Sequence, residues 1–126
     1  MTYDNIEFEK FSGYRSKVSR KISITKSFTF GIPPAFFKEN DLENFKFVAL
    51  FYNKNEGIIG INFNNQDGFK LSKYNEGEKR AASFPARSFF QTYGLNPVDC
   101  KGRYTPEKIT KEGIGDLYLI KIKKEE

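Results

Sequence analysis

Between residues 18 and 30 the apolar side chains Val18, Ile22, Ile24, Phe28 and Phe30 all fall on even positions, while the odd positions read Ser19, Lys21, Ser23, Thr25, Ser27 and Thr29. A period of two buries one face of an extended chain and wets the other, which helical geometry cannot do. A half-buried strand follows, bent at Lys26 and Ser27. Strand-like segments recur along the chain. "FKFVALFY" (45–52) is apolar or aromatic at seven of eight positions, the pattern of a strand covered on both faces. Asn55-Glu56-Gly57 turns the chain and "IIGINF" (58–63) returns, which predicts a hairpin. Beyond a break at Asp67-Gly68, "FKLSKY" (69–74) predicts a strand and Asn75-Glu76-Gly77 a further turn. Residues 98–104 carry only a weak strand signal and 105–115 read as a polar loop. "DLYLIKIK" (116–123) predicts the closing strand, with Gly113-Ile114-Gly115 as the turn before it.

Two short helices interrupt the strands. Pro33 and Pro34 suit the first turn of a helix from Ala35 to about Asn40, where the backbone amides have no intrahelical acceptor to lose. A second helix is expected over 86–93, with Gly94 ending it. The segments around the helices echo each other: "SFTFGIPPAFFKENDL" (27–42) and "RAASFPARSFFQTYGL" (80–95) align Phe36-Phe37 and Leu42 on Phe89-Phe90 and Leu95. The expected fold is mainly β, of the α+β kind: a small barrel or a sandwich of hairpins with two short helices. An N-terminal arm, 1–16, would precede one domain, 17–126, with pseudo-repeats at about 18–64 and 69–123. Fourteen Phe and seven Tyr make an aromatic core the expectation.

The chain has no histidine, which removes the commonest general base, the commonest zinc ligand and every Ser-His or Cys-His nucleophile pair. The one cysteine, Cys100, is expected to be structural. No Cys-x-x-Cys pair or Gly-rich loop ending in Gly-Lys-Ser/Thr is present, so neither a metal nor a cofactor is expected. An enzyme built on Asp67, Glu76, Glu78 or Asp99 is the remotest reading, because those carboxylates sit in turn-like surroundings. No apolar run approaches the roughly 20 residues of a membrane helix, and a cytoplasmic protein is expected.

Charge is unevenly spread. Residues 10–38 contain no Asp or Glu, while Lys10, Arg15, Lys17, Arg20, Lys21, Lys26 and Lys38 give +7 against a net +5 for the whole chain. Such a strip suits a polyanion, since neutralising phosphates releases condensed counterions. A solvated face guarding a strand edge uses the same residues. Within the strip the hydroxyls of Thr25 and Ser27 could join the cations on phosphate oxygens. Arg15, Arg20, Arg80 and Arg87 are candidates for base contact, because a guanidinium can give guanine two hydrogen bonds.

The run "ISITKSFTFGIPPAFFKENDLENFKFVALFYNKNEGIIGINF" (22–63) resembles the AbrB/SpoVT-type, or swapped-hairpin, DNA-binding domain, which runs strand, polar turn, strand, Ile-Pro, short helix ending in leucine, then hairpin. Two such units resemble the organisation of the MraZ family of transcriptional regulators. The resemblance implies an interlaced β-barrel that binds duplex DNA, here through Lys21, Thr25, Lys26 and Ser27 in the first unit and Arg80 and Arg87 in the second. The leading expectation is thus a non-enzymatic, homodimeric, duplex-DNA-binding regulator contacting nucleic acid through Arg15, Lys17, Arg20, Lys21, Thr25, Lys26, Ser27, Arg80 and Arg87. Two alternatives stay open. Exposed tyrosines, from Tyr3, Tyr14, Tyr74, Tyr93 and Tyr104, could stack on single-stranded bases. The chain could instead be a protein-interaction module or an oligomeric accessory subunit, phage- or antitoxin-like, without catalysis.

Overall fold

The computed structural model describes Glu7 and residues 19–122. The arm expected over 1–16 therefore lies outside the described residues except for Glu7, as do Arg15, Lys17 and the charged tail. In chain order the elements are β1 (Ile22–Ile24), β2 (Thr29–Ile32), α1 (Pro34–Glu39), one 3-10 turn (Leu42–Asn44), β3 (Phe47–Asn53), β4 (Ile58–Asn64), β5 (Phe69–Lys70), β6 (Ser72–Glu76), β7 (Lys79–Pro85), α2 (Arg87–Thr92), α3 (Pro97–Cys100), β8 (Gly102–Tyr104), β9 (Glu107–Lys111) and β10 (Gly115–Lys121). They form two open antiparallel sheets of five strands, ordered β6-β7-β2-β1-β8 and β5-β3-β4-β10-β9. The barrel alternative is thereby corrected: neither sheet closes on itself.

Even-numbered residues of β1 and β2 do face inward: Ile22, Ile24, Phe30 and Ile32 are all buried. They join residues of the second sheet, Val48, Ile59, Ile61 and Ile120, in one continuous core. The centre of the first sheet is the β2–β7 pair, with Phe30 opposite Phe84 and Gly31 opposite Ser83. There the Phe30 and Phe84 rings stack with centroids 4.8 Å apart and planes 6° from parallel. Each of these strands runs after a single residue into a six-residue helix whose third and fourth residues are the buried Phe pair, Phe36-Phe37 or Phe89-Phe90. At the end of α1, Asn40 Oδ1 accepts from the Tyr118 hydroxyl at 2.7 Å, which ties the helix to β10.

Several expectations change. The expected strand with a bend is a hairpin, because Thr25 organises a turn: its Oγ1 accepts from the amides of Ser27 and Thr29, and its carbonyl accepts from Phe28 N–H. Local capture of amides by a threonine hydroxyl competes with strand pairing. The same turn leaves Phe28 at φ 68°, an uncommon conformation for an aromatic residue. The segment 45–52 is not covered on both faces, for Phe51 is 38% exposed. Residues 69–74 split between sheets as β5 and β6, with buried Leu71 at the crossing. Asn96 caps α3 by accepting from Val98 N–H, with Pro97 in the first turn, where only a weak strand was expected. The polar loop 105–115 contains β9, an edge strand that needs no apolar face of its own. No helix among the described residues is long and apolar enough to cross a membrane.

Gly68 lies at φ 128°, and a Cβ there would sit 2.2 Å from the Val48 carbonyl oxygen. Gly77 in the β6–β7 turn has φ 67° and open space around it. Gly68→Ala should therefore cost at least about 2 kcal/mol, because conformational strain adds to a backbone clash, whereas Gly77→Ala should cost about 1 kcal/mol from strain alone. Urea unfolding of the two variants checks the order.

Candidate nucleic-acid interface

Antiparallel pairing sets a row of residues across the outer face of the first sheet. Ser72 lies opposite Ser83, Ser83 opposite Gly31, Gly31 opposite Ser23, and Ser23 opposite Arg103. Side chains along this row are short until Arg103, so the sheet backbone lies near the surface. Gly31 keeps it so: a Cβ would come 2.5 Å from Ser23 Oγ.

Ser23 and Gly31 form the floor of a groove of about 900 Å³. One wall is the start of α1, from Pro33 to Ala35, and the other is the β6–β7 hairpin carrying Tyr74, Lys79 and Arg80. Lys21, Lys38 and Arg103 complete its cationic lining. Among the described residues Lys21, Lys38, Lys79 and Arg103 make no ion pair, which leaves them able to take up an external anion. Four carboxylates, Asp41, Glu43, Glu76 and Glu78, also line the groove. Glu43 is engaged by Arg80 at 2.9 Å, and Lys73 Nζ donates to the Glu43 carbonyl oxygen.

A second groove, of about 960 Å³, has the opposite character. Glu39, Asp41, Asp67 and Asp116 line it against Lys108 alone, and Lys108 already pairs with Asp116 at 3.6 Å. Asn62, Asn64 and Asn65 supply much of its remaining polarity, held by hydrogen bonds to backbone groups of the β9–β10 hairpin and of the 44–67 region. Carboxylates outnumber cations in this second groove, whereas in the first groove five cations stand beside four carboxylates.

The sequence candidates do not converge on one site. Lys21 and Arg80 reach the groove of the first sheet. Arg20 is drawn to α1, its guanidinium 2.6 Å from Glu39. Thr25, Lys26 and Ser27 occupy the β1–β2 turn, beyond the groove, and the Thr25 hydroxyl is committed to that turn. Arg87 stands beside the same turn, with Cζ 4.3 Å from the Phe28 ring centroid, while Phe28 O accepts from Ala86 N–H. Arg15 and Lys17 lie outside the described residues. Lys79 and Arg103 were missed, because nothing local in sequence shows that β8 lies beside β1.

Of the tyrosines, Tyr74 is 43% exposed within the groove. Tyr93, 46% exposed, packs on Tyr52 and Phe89 outside the groove, and the Tyr104 hydroxyl donates to the Cys100 carbonyl. Tyr3 and Tyr14 lie outside the described residues. The carboxylates considered for catalysis are dispersed: Glu76 and Glu78 line the first groove, Asp67 the second, and Asp99 neither. No group of three or more Cys, Asp or Glu among the described residues could hold a metal.

The buried Cys100 thiol is pushed up from its ordinary pKa by burial and secondarily by Asp99. It should react slowly with a disulfide reagent at pH 8 and rapidly once the chain is unfolded in urea. Glu39 and Glu43 are held below the usual carboxylate range, each chiefly by a hydrogen bond from its arginine. The stability these contacts contribute is present above the ordinary glutamate pKa and is lost as pH falls through the depressed folded values. Carboxyl carbon shifts followed by NMR should show both groups titrating below the ordinary glutamate pKa, with the difference shrinking in high salt. Comparison of the chain with family models, with curated proteins and with solved structures finds no match.

Proposed function

We propose that this chain is a non-enzymatic nucleic-acid-binding protein that seats a sugar-phosphate backbone on the outer face of its first sheet. The observation that carries the reading is the juxtaposition of a short-side-chain floor, Ser23 and Gly31, with Lys21, Lys38, Lys79 and Arg103. A phosphate can approach the floor closely, and ammonium and guanidinium groups from four separate segments surround it. Such contacts position a nucleic acid without reading its sequence. Arg103, at the end of the serine row, is the best placed guanidinium for base or groove contact.

Duplex DNA is the form implied by the resemblance to AbrB-type domains. Support for that finer reading comes from the order of elements: hairpin, short helix with a buried Phe pair, then hairpin, found around α1 and again, with α3 and β8 inserted, around α2. In this reading the β2–β7 pair joins two half-repeats of one chain. Exposed Tyr74 favours single-stranded nucleic acid as the second reading, since a ring on the groove wall can stack on an unpaired base.

The test is fluorescence anisotropy with a labelled random-sequence duplex and its single strand. If Lys21, Lys38, Lys79 and Arg103 each neutralise one phosphate, duplex affinity should fall roughly 50-fold between 50 and 150 mM salt. Lys21→Glu with Arg103→Glu should weaken binding at low salt by more than about tenfold, while Lys26→Glu, outside the groove, should change it by less than about threefold. Glu43→Gln should release Arg80 and steepen the salt dependence by about one further phosphate. Binding to neither probe at 50 mM salt rejects the proposal. Binding to the single strand alone selects the Tyr74 reading.

A further inference from the structure

Carboxylates in a groove that seats a phosphate backbone are useful only where the ligand presents N–H groups, because a phosphate repels them. Glu43 is already neutralised by Arg80 at 2.9 Å. Asp41, Glu76 and Glu78 also line the groove, and none of them makes an ion pair or a side-chain hydrogen bond among the described residues. Of these three, Glu76 has its place on the sheet fixed by strand pairing.

Along the β6–β7 ladder Ser72 lies opposite Ser83 in the groove floor, Tyr74 opposite Ala81, and Glu76 opposite Lys79. Residues two apart share a face, so Ser72, Tyr74, Glu76 and Lys79 all stand on the outer face of the first sheet. At about 3.4 Å per residue, Tyr74 is rooted roughly 7 Å along β6 from the serine row and Glu76 roughly 14 Å from it. Tyr74 is 43% exposed, and neither its ring nor its hydroxyl has a partner among the described residues. Lys79 faces Glu76 directly across the ladder, yet the two make no ion pair. An aromatic face, a carboxylate and an ammonium are thus unoccupied together on one wall of the groove.

We propose that Tyr74, Glu76 and Lys79 form a base site selective for guanine in a single strand whose backbone lies on the serine row. The proposal rests on the nucleic-acid reading of this groove and takes its single-stranded form. A base turned from the row along β6 meets the Tyr74 ring first and carries its Watson–Crick edge to Glu76. Guanine alone among the four bases presents two adjacent donors on that edge, N1–H and the N2 amino group, which match the two oxygens of a carboxylate. Its O6, next to them, accepts from the Lys79 ammonium. Thymine has an acceptor on each side of its single N–H, while cytosine and adenine have one amino group beside an acceptor, so each of them sets a lone pair against Glu76. A duplex keeps these edges paired, and the site is closed to it.

The full chain is titrated by fluorescence anisotropy at low salt with labelled seven-nucleotide thymine strands whose central base is thymine, guanine, adenine or cytosine. The guanine strand should bind about tenfold more tightly than the other three. Glu76→Gln should bring that preference below about threefold and leave the all-thymine strand nearly unchanged. Tyr74→Ala should weaken the guanine strand at least about fivefold, and Tyr74→Phe, which keeps the ring, should restore most of the loss. Both positions are exposed, so circular dichroism and thermal melting should show folded protein. Equal affinity for the four strands, abolished in all of them by Lys21→Glu with Arg103→Glu, overturns the inference and leaves the backbone groove standing. Preference for another base, binding to a duplex alone, or a guanine preference that survives Glu76→Gln does the same. Binding to no strand and no duplex removes the groove reading itself, and the inference with it.

Discussion

The antiparallel contact of β2 with β7 is the constraint on which the rest of the molecule depends. The strands come from opposite halves of the chain, yet they form the centre of the first sheet, and Phe30 and Phe84 stack directly beneath their pairing. Phe90 fills the neighbouring space, 5.8 Å from the Phe30 ring, so α2 is seated on the same aromatic cluster. With both rings fully buried, truncating either would remove a large apolar volume where the N-terminal β1–β2 hairpin joins the C-terminal β6–β7 hairpin. The helices follow their strands after one residue each, so the position of this pair also decides where α1 and α2 lie.

That arrangement separates two kinds of surface. Inward positions of β1, β2 and β7 take the bulky residues, and the outward row is left with serines and a glycine. Cations collect around this floor from the segment before β1, from α1, from β7 and from β8. On the second sheet the balance is reversed, with carboxylates and asparagines in a groove beside an apolar strand edge. The two sheets therefore differ in surface chemistry: cations around a short-side-chain floor on one, carboxylates and asparagines on the other.

Much of the fold can be read from pattern. The even-position rule identified the inward faces of β1 and β2 because hydrophobic burial and the strand period are both local in sequence. Phe36-Phe37 and Phe89-Phe90 read as helical anchors for a similar reason. The Thr25 turn was missed because a hydroxyl's choice between solvent and neighbouring amides depends on geometry. β9 was missed because an edge strand can be polar on both faces, and the exposure of Phe51 because an apolar run does not tell how far its neighbour extends. The site was less legible than the fold. Clustering of charge in residues 10–38 pointed toward Lys21 and Lys38, but Arg20 is taken up by Glu39 and the Lys26 turn lies elsewhere. Lys79 and Arg103 enter only through long-range pairing, which composition does not encode.

The surface assigned to nucleic acid can be tested residue by residue, with amide chemical shifts recorded as a random-sequence duplex is added at low salt. Shifts concentrated at Lys21, Ser23, Gly31, Lys79 and Arg103, and reversed by added salt, are the expected result. Shifts confined to the Thr25–Phe28 turn and Arg87, or to the asparagine-lined groove of the second sheet, would contradict the placement of the interface on the first sheet's outer face. A spectrum that the duplex leaves unchanged would contradict nucleic-acid binding by the described surfaces altogether.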